Sequence, residues 1–237
     1  MSVFALVLIV AAANVAGALV VTQGALGRRT LLGFLVGFGA GFMLAVALLE
    51  MLPPALEVTH GLTAVLLGYL GVHLAQHTVV PHFHFGEETH ADAMVSPRVG
   101  LMAVAGMLPH AFFDGVAIAG GYALAAELGV LIALAVLLHK VPAGAALASI
   151  MLASGNDRSR TLAAVAVVAA ATVVGALITP ASTLLERYGL ALAAGVTLYV
   201  AASNLIPEAQ RQRGWLLPGG VFVGVAAYYL ARLVAPF

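Results

Sequence analysis

Two stretches decide the fold: Leu108-Pro109-His110-Ala111-Phe112-Phe113-Asp114-Gly115 and Leu138-His139-Lys140-Val141-Pro142-Ala143-Gly144. Each puts histidine and a charged residue inside a long apolar run, where ionisable groups are costly and face a bundle interior or a wet cavity. The stretches share a frame 29 residues apart, with His110 aligned to His139, Asp114 to Ala143 and Gly115 to Gly144. The pattern predicts two neighbouring membrane helices that present a metal site to one another.

Composition agrees. The chain of 237 residues is 62% hydrophobic and only 8% charged, against about 25% charged in soluble domains. Mean hydropathy is +1.08. A soluble surface cannot be built from so few charges, so an integral membrane protein of class all-α is expected. The formal net charge of zero argues against nucleic-acid partners. With no cysteine, disulfides and thiolate ligands are excluded. The N-terminal stretch lacks a basic leader and reads as a retained span.

A span needs about 20 mostly apolar residues. Eight segments meet that rule, near 3–25, 30–53, 60–80, 97–123, 127–153, 160–181, 188–208 and 214–235, and form one transmembrane domain over 1–237. Only the connection near 81–97 is long, and it is rich in histidine. Arginine sets the orientation. With the N-terminus outside, the inner loops hold Arg28, Arg29, Arg98, Arg158, Arg160, Arg211 and Arg213, and the outer side holds only Arg187 and Arg232. Both termini are therefore expected on the outer side of the membrane.

The run Ala40 to Pro53 resembles Ala194 to Pro207 at an offset of 154 residues. Those segments, and the fourth and fifth, run in opposite directions. An inverted repeat in a 3+2+3 arrangement is expected, a pattern of transporters with a midplane site.

His110 and Asp114 are one turn apart on one helix face, and His139 comes from the next helix. Imidazole and carboxylate suit Zn2+ and other first-row divalent ions. The alternative is that the three only hydrogen-bond to each other and hold the bundle together. Pro142 frees the Leu138 carbonyl and Pro109 that of Ala105. Lys140 either takes the place of a second cation or moves protons, or it pairs structurally with Asp114 or Glu50. Met43 is a further candidate ligand, although a methionine in an apolar helix normally packs. Glu50 and Asn204 are candidates for the entrance, Asn204 alternatively for a helix–helix hydrogen bond. His73 and His77, with His82, His84 and His90 in the long inner connection, form a candidate loop site for loosely held metal.

At these residues the sequence resembles the ZIP (Zrt-, Irt-like) metal transporters, nearest the bacterial branch. Family members typically read His-Asn-x-Pro-Glu-Gly in helix 4 and His/Gln-Glu/Asp-x-Pro-Glu-Gly in helix 5. Both histidines, both glycines and the helix 5 proline match here. The resemblance implies a divalent cation transporter with two metals between helices 4 and 5, the first held by His110, Asp114, His139 and Met43. The positions of the second are Ala111, Lys140, Asp114 and Ala143. Ala111 and Ala143 cannot ligate, Lys140 is cationic, and helix 6 offers no carboxylate between Thr161 and Pro180. One ion is expected where relatives hold two.

The expected function is therefore uptake of a divalent metal, zinc first and Cd2+, Fe2+ or Mn2+ next, with helices 1, 4, 5 and 6 rocking against the rest. The expected partners are the ion, the bilayer and a second copy of the chain. Two alternatives stand beside it: a homologue that binds or senses metal without flux, and an intramembrane metal-dependent hydrolase, for which no separate carboxylate base is evident.

Overall fold

The computed structural model describes residues 2–23, 29–79, 97–207 and 216–234. They form eight helical rods. α1 is Val3–Thr22. α2 runs through Arg29–Val46, a wider π-helical turn at Ala47–Met51, and Leu52–Glu57. α3 is Gly61–Val79, α4 Pro97–Leu124, α5 Ala126–Ala153 and α6 Arg158–Ile178, ending in a tighter turn at Thr179–Ala181. α7 is Thr183–Tyr199 continued by a π-helical turn at Val200–Leu205, and α8 is Leu216–Val234. Six of the rods are long and apolar enough to cross a membrane, and the molecule is an integral membrane protein.

Local chemistry explains the two boundaries that differ from expectation. α2 passes through Pro53-Pro54 instead of stopping there, because the π turn comes first and the prolines open the next helical turn, where a missing N–H costs least. α7 begins before Glu186-Arg187. The Ser182 hydroxyl accepts from the Leu185 N–H at 3.3 Å, and Glu186 sits in the first turn, where a negative charge complements the helix dipole.

Two four-helix groups result. In one, α1 packs on α5 and α6 on α4, and these pairs meet through α4–α5 and α1–α6. In the other, α2 packs on α8 and α3 on α7. The groups join where α4 meets α7 and α2 meets α5. Lipid tails are as apolar as leucine, so the hydrophobic effect drives little association between spans. Close backbone approach takes its place. A Cβ on Gly17 would collide with the Val141 carbonyl, and one on Gly144 with the Asn14 carbonyl, so α1 and α5 touch backbone to backbone. Gly115 and Gly175 do the same for α4 and α6 against Thr172 and Phe112. These contacts hold α4 and α5 at the depth where their polar residues meet.

Candidate metal centre

Asp114 is the convergence point. Its Oδ2 lies 3.5 Å from His110 Nε2, 3.6 Å from His139 Nε2 and 2.7 Å from Lys140 Nζ. All four residues are buried. One ligand atom from each of His110, Asp114 and His139 falls within a 4.8 Å cluster, the spread of a single ion's donors. Among the described residues this is where three such groups gather.

The histidine hydrogen bonds favour ligation. His139 Nδ1 lies 3.2 Å from the Ala135 carbonyl one turn back, and a carbonyl can only accept. That assigns the proton to Nδ1 and leaves the Nε2 lone pair facing Asp114, the arrangement a metal-ligating histidine needs. His139 Nε2 and Asp114 Oδ2 make no hydrogen bond. The Lys140 contact is an ion pair by distance but lies off the hydrogen-bond direction, so Oδ2 keeps accepting capacity.

Two of the four positions that the resemblance implies for a second ion are apolar. Ala111 and Ala143 belong to a cluster with Ala18, Leu147, Val165 and Val168. Lys140 pairs with Asp114 and not with Glu50. Met43 is fully buried one turn beyond Gly39, where a Cβ would lie 3.4 Å from the Leu138 carbonyl oxygen and 3.6 Å from His139 Cα. α2 thus passes beside His139, and the carbonyl freed by Pro142 faces α2.

Away from the centre, Tyr228 donates to Glu50 at 2.5 Å, and Arg232 lies 3.3 Å from the same oxygen. Asn204 donates to Gln76 at 3.1 Å, a helix–helix hydrogen bond. Since α2 and α7 run oppositely, these two groups lie at opposite ends of the bundle. The His73 and His77 rings stack 4.1 Å apart, and His73 also meets Tyr199. His82, His84 and His90 lie outside the described residues. A cavity of about 770 Å³, whose lining includes Glu57, Thr59, Glu186 and Arg187, reaches Ala119 and Gly120 on α4 but does not include the centre. Sequence reasoning passed over Asn14, the one amide in α1. It is fully buried and neither of its side-chain polar atoms has a hydrogen-bond partner. Its only signal was a lone polar residue in an apolar helix.

A helical membrane bundle with a buried His-Asp-His centre matches a known class. Residues 73–230 match the family described as ZIP Zinc transporter, and the chain belongs to that family. It is 34% identical over 110 residues to a zinc transporter ZupT of Shigella dysenteriae serotype 1, covering 40% of this chain and 41% of that protein. It is 32% identical over 125 residues to those of Salmonella paratyphi A and Salmonella newport, covering 47% of each chain. The match spans less than half the length of these relatives.

Proposed function

We propose that the protein is a transporter and not an enzyme, and that it carries a divalent metal ion, zinc first, into the cytoplasm through one site formed by His110, Asp114 and His139, with Met43 as a fourth ligand. The observation that carries this reading is the convergence of two imidazoles on one buried carboxylate within a ZIP-family chain. The relatives' names as zinc transporters favour zinc. Ala111 and Ala143 in apolar packing favour a single ion. Weak, quickly reversible binding follows from a lone carboxylate shared with Lys140, and this suits transport.

The reading includes a 3+2+3 inverted repeat. Its support is that exchanging α1 with α6, α2 with α7, α3 with α8 and α4 with α5 maps the main helix pairings onto each other. The glycine contacts follow the same exchange. Gly41 meets the Val221 carbonyl and Gly224 that of Phe38, while Gly195 meets that of Val65 and Gly68 that of Leu192. Both π-helical turns fall at the 154-residue offset. Glu50 with Arg232 corresponds to Asn204 with Gln76.

Rocking of α1, α4, α5 and α6 against the other four helices gives alternating access. The polar contacts described above lie within one group or the other, which favours this motion. The arginine distribution favours both termini on the outer side, and the bacterial origin of the relatives favours a bacterial inner membrane. The 770 Å³ cavity then opens outward, with Glu57 and Glu186 in its lining to draw cations. In that orientation Asn204, a candidate for the entrance from sequence, falls at the inner end with His73 and His77, and its bond to Gln76 favours the helix–helix alternative. The exposed apolar faces meet lipid or a second copy of the chain.

Zn2+ flux into proteoliposomes tests this, comparing the natural chain with His110→Ala and Asp114→Ala. Both variants should lose flux, and unchanged flux in both would remove the site.

A further inference from the structure

An ion that binds Asp114 Oδ2 competes with Lys140 for that oxygen. A divalent cation and an ammonium cannot share one carboxylate oxygen in a medium of low dielectric without strong repulsion. A buried ammonium without an acceptor is itself expensive. The centre therefore needs a second resting place for the Lys140 head group, close by and empty of other partners.

Asn14 meets both requirements. It is fully buried, and neither Oδ1 nor Nδ2 has a hydrogen-bond partner. An orphaned amide at membrane depth calls for an explanation. Its Oδ1 points at α5, lying 2.8 Å from where a Cβ on Gly144 would stand. Lys140 is one turn from Gly144 on the same face, about 5–6 Å between Cβ atoms, a span that the four-carbon lysine stem covers. The Leu138 carbonyl, which Pro142 leaves without its helical donor, lies against Gly39 on α2.

The repeat gives a control within the molecule. Asn14 corresponds to Thr172 on α6 at an offset of 158 residues, since Gly17 and Gly175 make matching contacts. Lys140 corresponds to Ala111. The stronger acceptor, an amide, stands on the side that has the lysine. The other side has a hydroxyl, also buried and unpaired.

We infer that Lys140 is a two-position counter-ion: it pairs with Asp114 while the site is empty and moves to the Asn14 carbonyl oxygen when a divalent cation binds Asp114. This rests on the proposal that the ion sits at Asp114. Asn14 acts as a positioning residue through Lys140, without touching the ion.

A double-mutant cycle tests it, with Zn2+ affinity measured by calorimetry on the purified full chain carrying His82→Ala, His84→Ala and His90→Ala. Asn14→Leu, which keeps the volume but has no acceptor, should weaken binding about tenfold, because Lys140 stays on Asp114. Lys140→Met should tighten binding. Asn14→Leu added to Lys140→Met should then change affinity less than twofold. An equal loss in both backgrounds, or no loss in the natural background, overturns the inference. If Asn14→Leu does not fold, Asn14→Ala enters the same cycle. Asp114→Ala runs in parallel, and full Zn2+ binding in that variant would remove the ion site itself, whatever the cycle shows.

Discussion

Lys140 Nζ and Asp114 Oδ2 form an ion pair of 2.7 Å with both side chains 2% exposed. Removing one member of such a pair leaves the other charge buried and uncompensated, typically a loss of 3–5 kcal/mol, whereas replacing both can be nearly neutral. Asp114→Asn should lower stability by about 3 kcal/mol or more, and Lys140→Met added to it should recover most of the loss. Thermal unfolding in detergent measures both. Flux should stay absent in the double variant, which separates the role of the carboxylate in holding the fold from its role in holding the ion. A stable double variant with normal flux would show that Asp114 is structural only.

The apolar packing of Ala111 and Ala143 predicts one bound ion per chain. Lys140→Glu with Ala143→Glu puts two carboxylates on α5 beside Asp114, and the saturating Zn2+ stoichiometry of the core should rise from one to two. The loop histidines are removed in both chains so that equilibrium dialysis counts core ions only. Two tightly held ions in the natural core would contradict the single-site reading.

Much of this was legible in the sequence because membrane spans leave plain signals. Eight apolar runs gave eight rods, and His110, Asp114 and His139 stood out as polar residues where none is cheap. Boundaries were less legible: Pro53-Pro54 looks like a stop until a π turn shifts the hydrogen-bond frame, and Glu186-Arg187 looks like a loop until Ser182 is seen as a cap. The partners of Glu50 and Asn204 were not legible, because Tyr228, Arg232 and Gln76 are distant in sequence and brought near only by packing. Asn14 was passed over for the same reason, since its meaning depends on Gly144 opposite it.

The backbone contact of α1 with α5 predicts a steep size dependence at Gly144. A methyl group there would collide with the Asn14 carbonyl, a rigid atom that cannot rotate aside. Gly144→Ala should cost about 1–3 kcal/mol, the usual range for overpacking, and Gly144→Val more. Gly115→Ala, against the Thr172 carbonyl, should behave alike. At Gly71, where nothing lies within 4 Å, alanine should be tolerated without loss. Unfolding midpoints of the three alanine variants give the comparison, and equal midpoints would show that the α1–α5 and α4–α6 contacts are looser than described.

The proposed sliding of the two helix groups can be blocked by a cross-link. A Cβ on Gly120 of α4 would lie 3.5 Å from Leu190 Cβ on α7, within the Cβ–Cβ separation of about 3.5–4.5 Å that a disulfide requires. The chain has no cysteine of its own, so Gly120→Cys with Leu190→Cys introduces the sole pair. Under oxidation the cross-linked protein should keep Zn2+ binding and lose flux, and a reductant should restore flux. Each single-cysteine variant should transport under both conditions. Full flux through the oxidised, cross-linked protein would mean that α4 and α7 do not move past each other during transport, and the rocking of α1, α4, α5 and α6 would have to be abandoned.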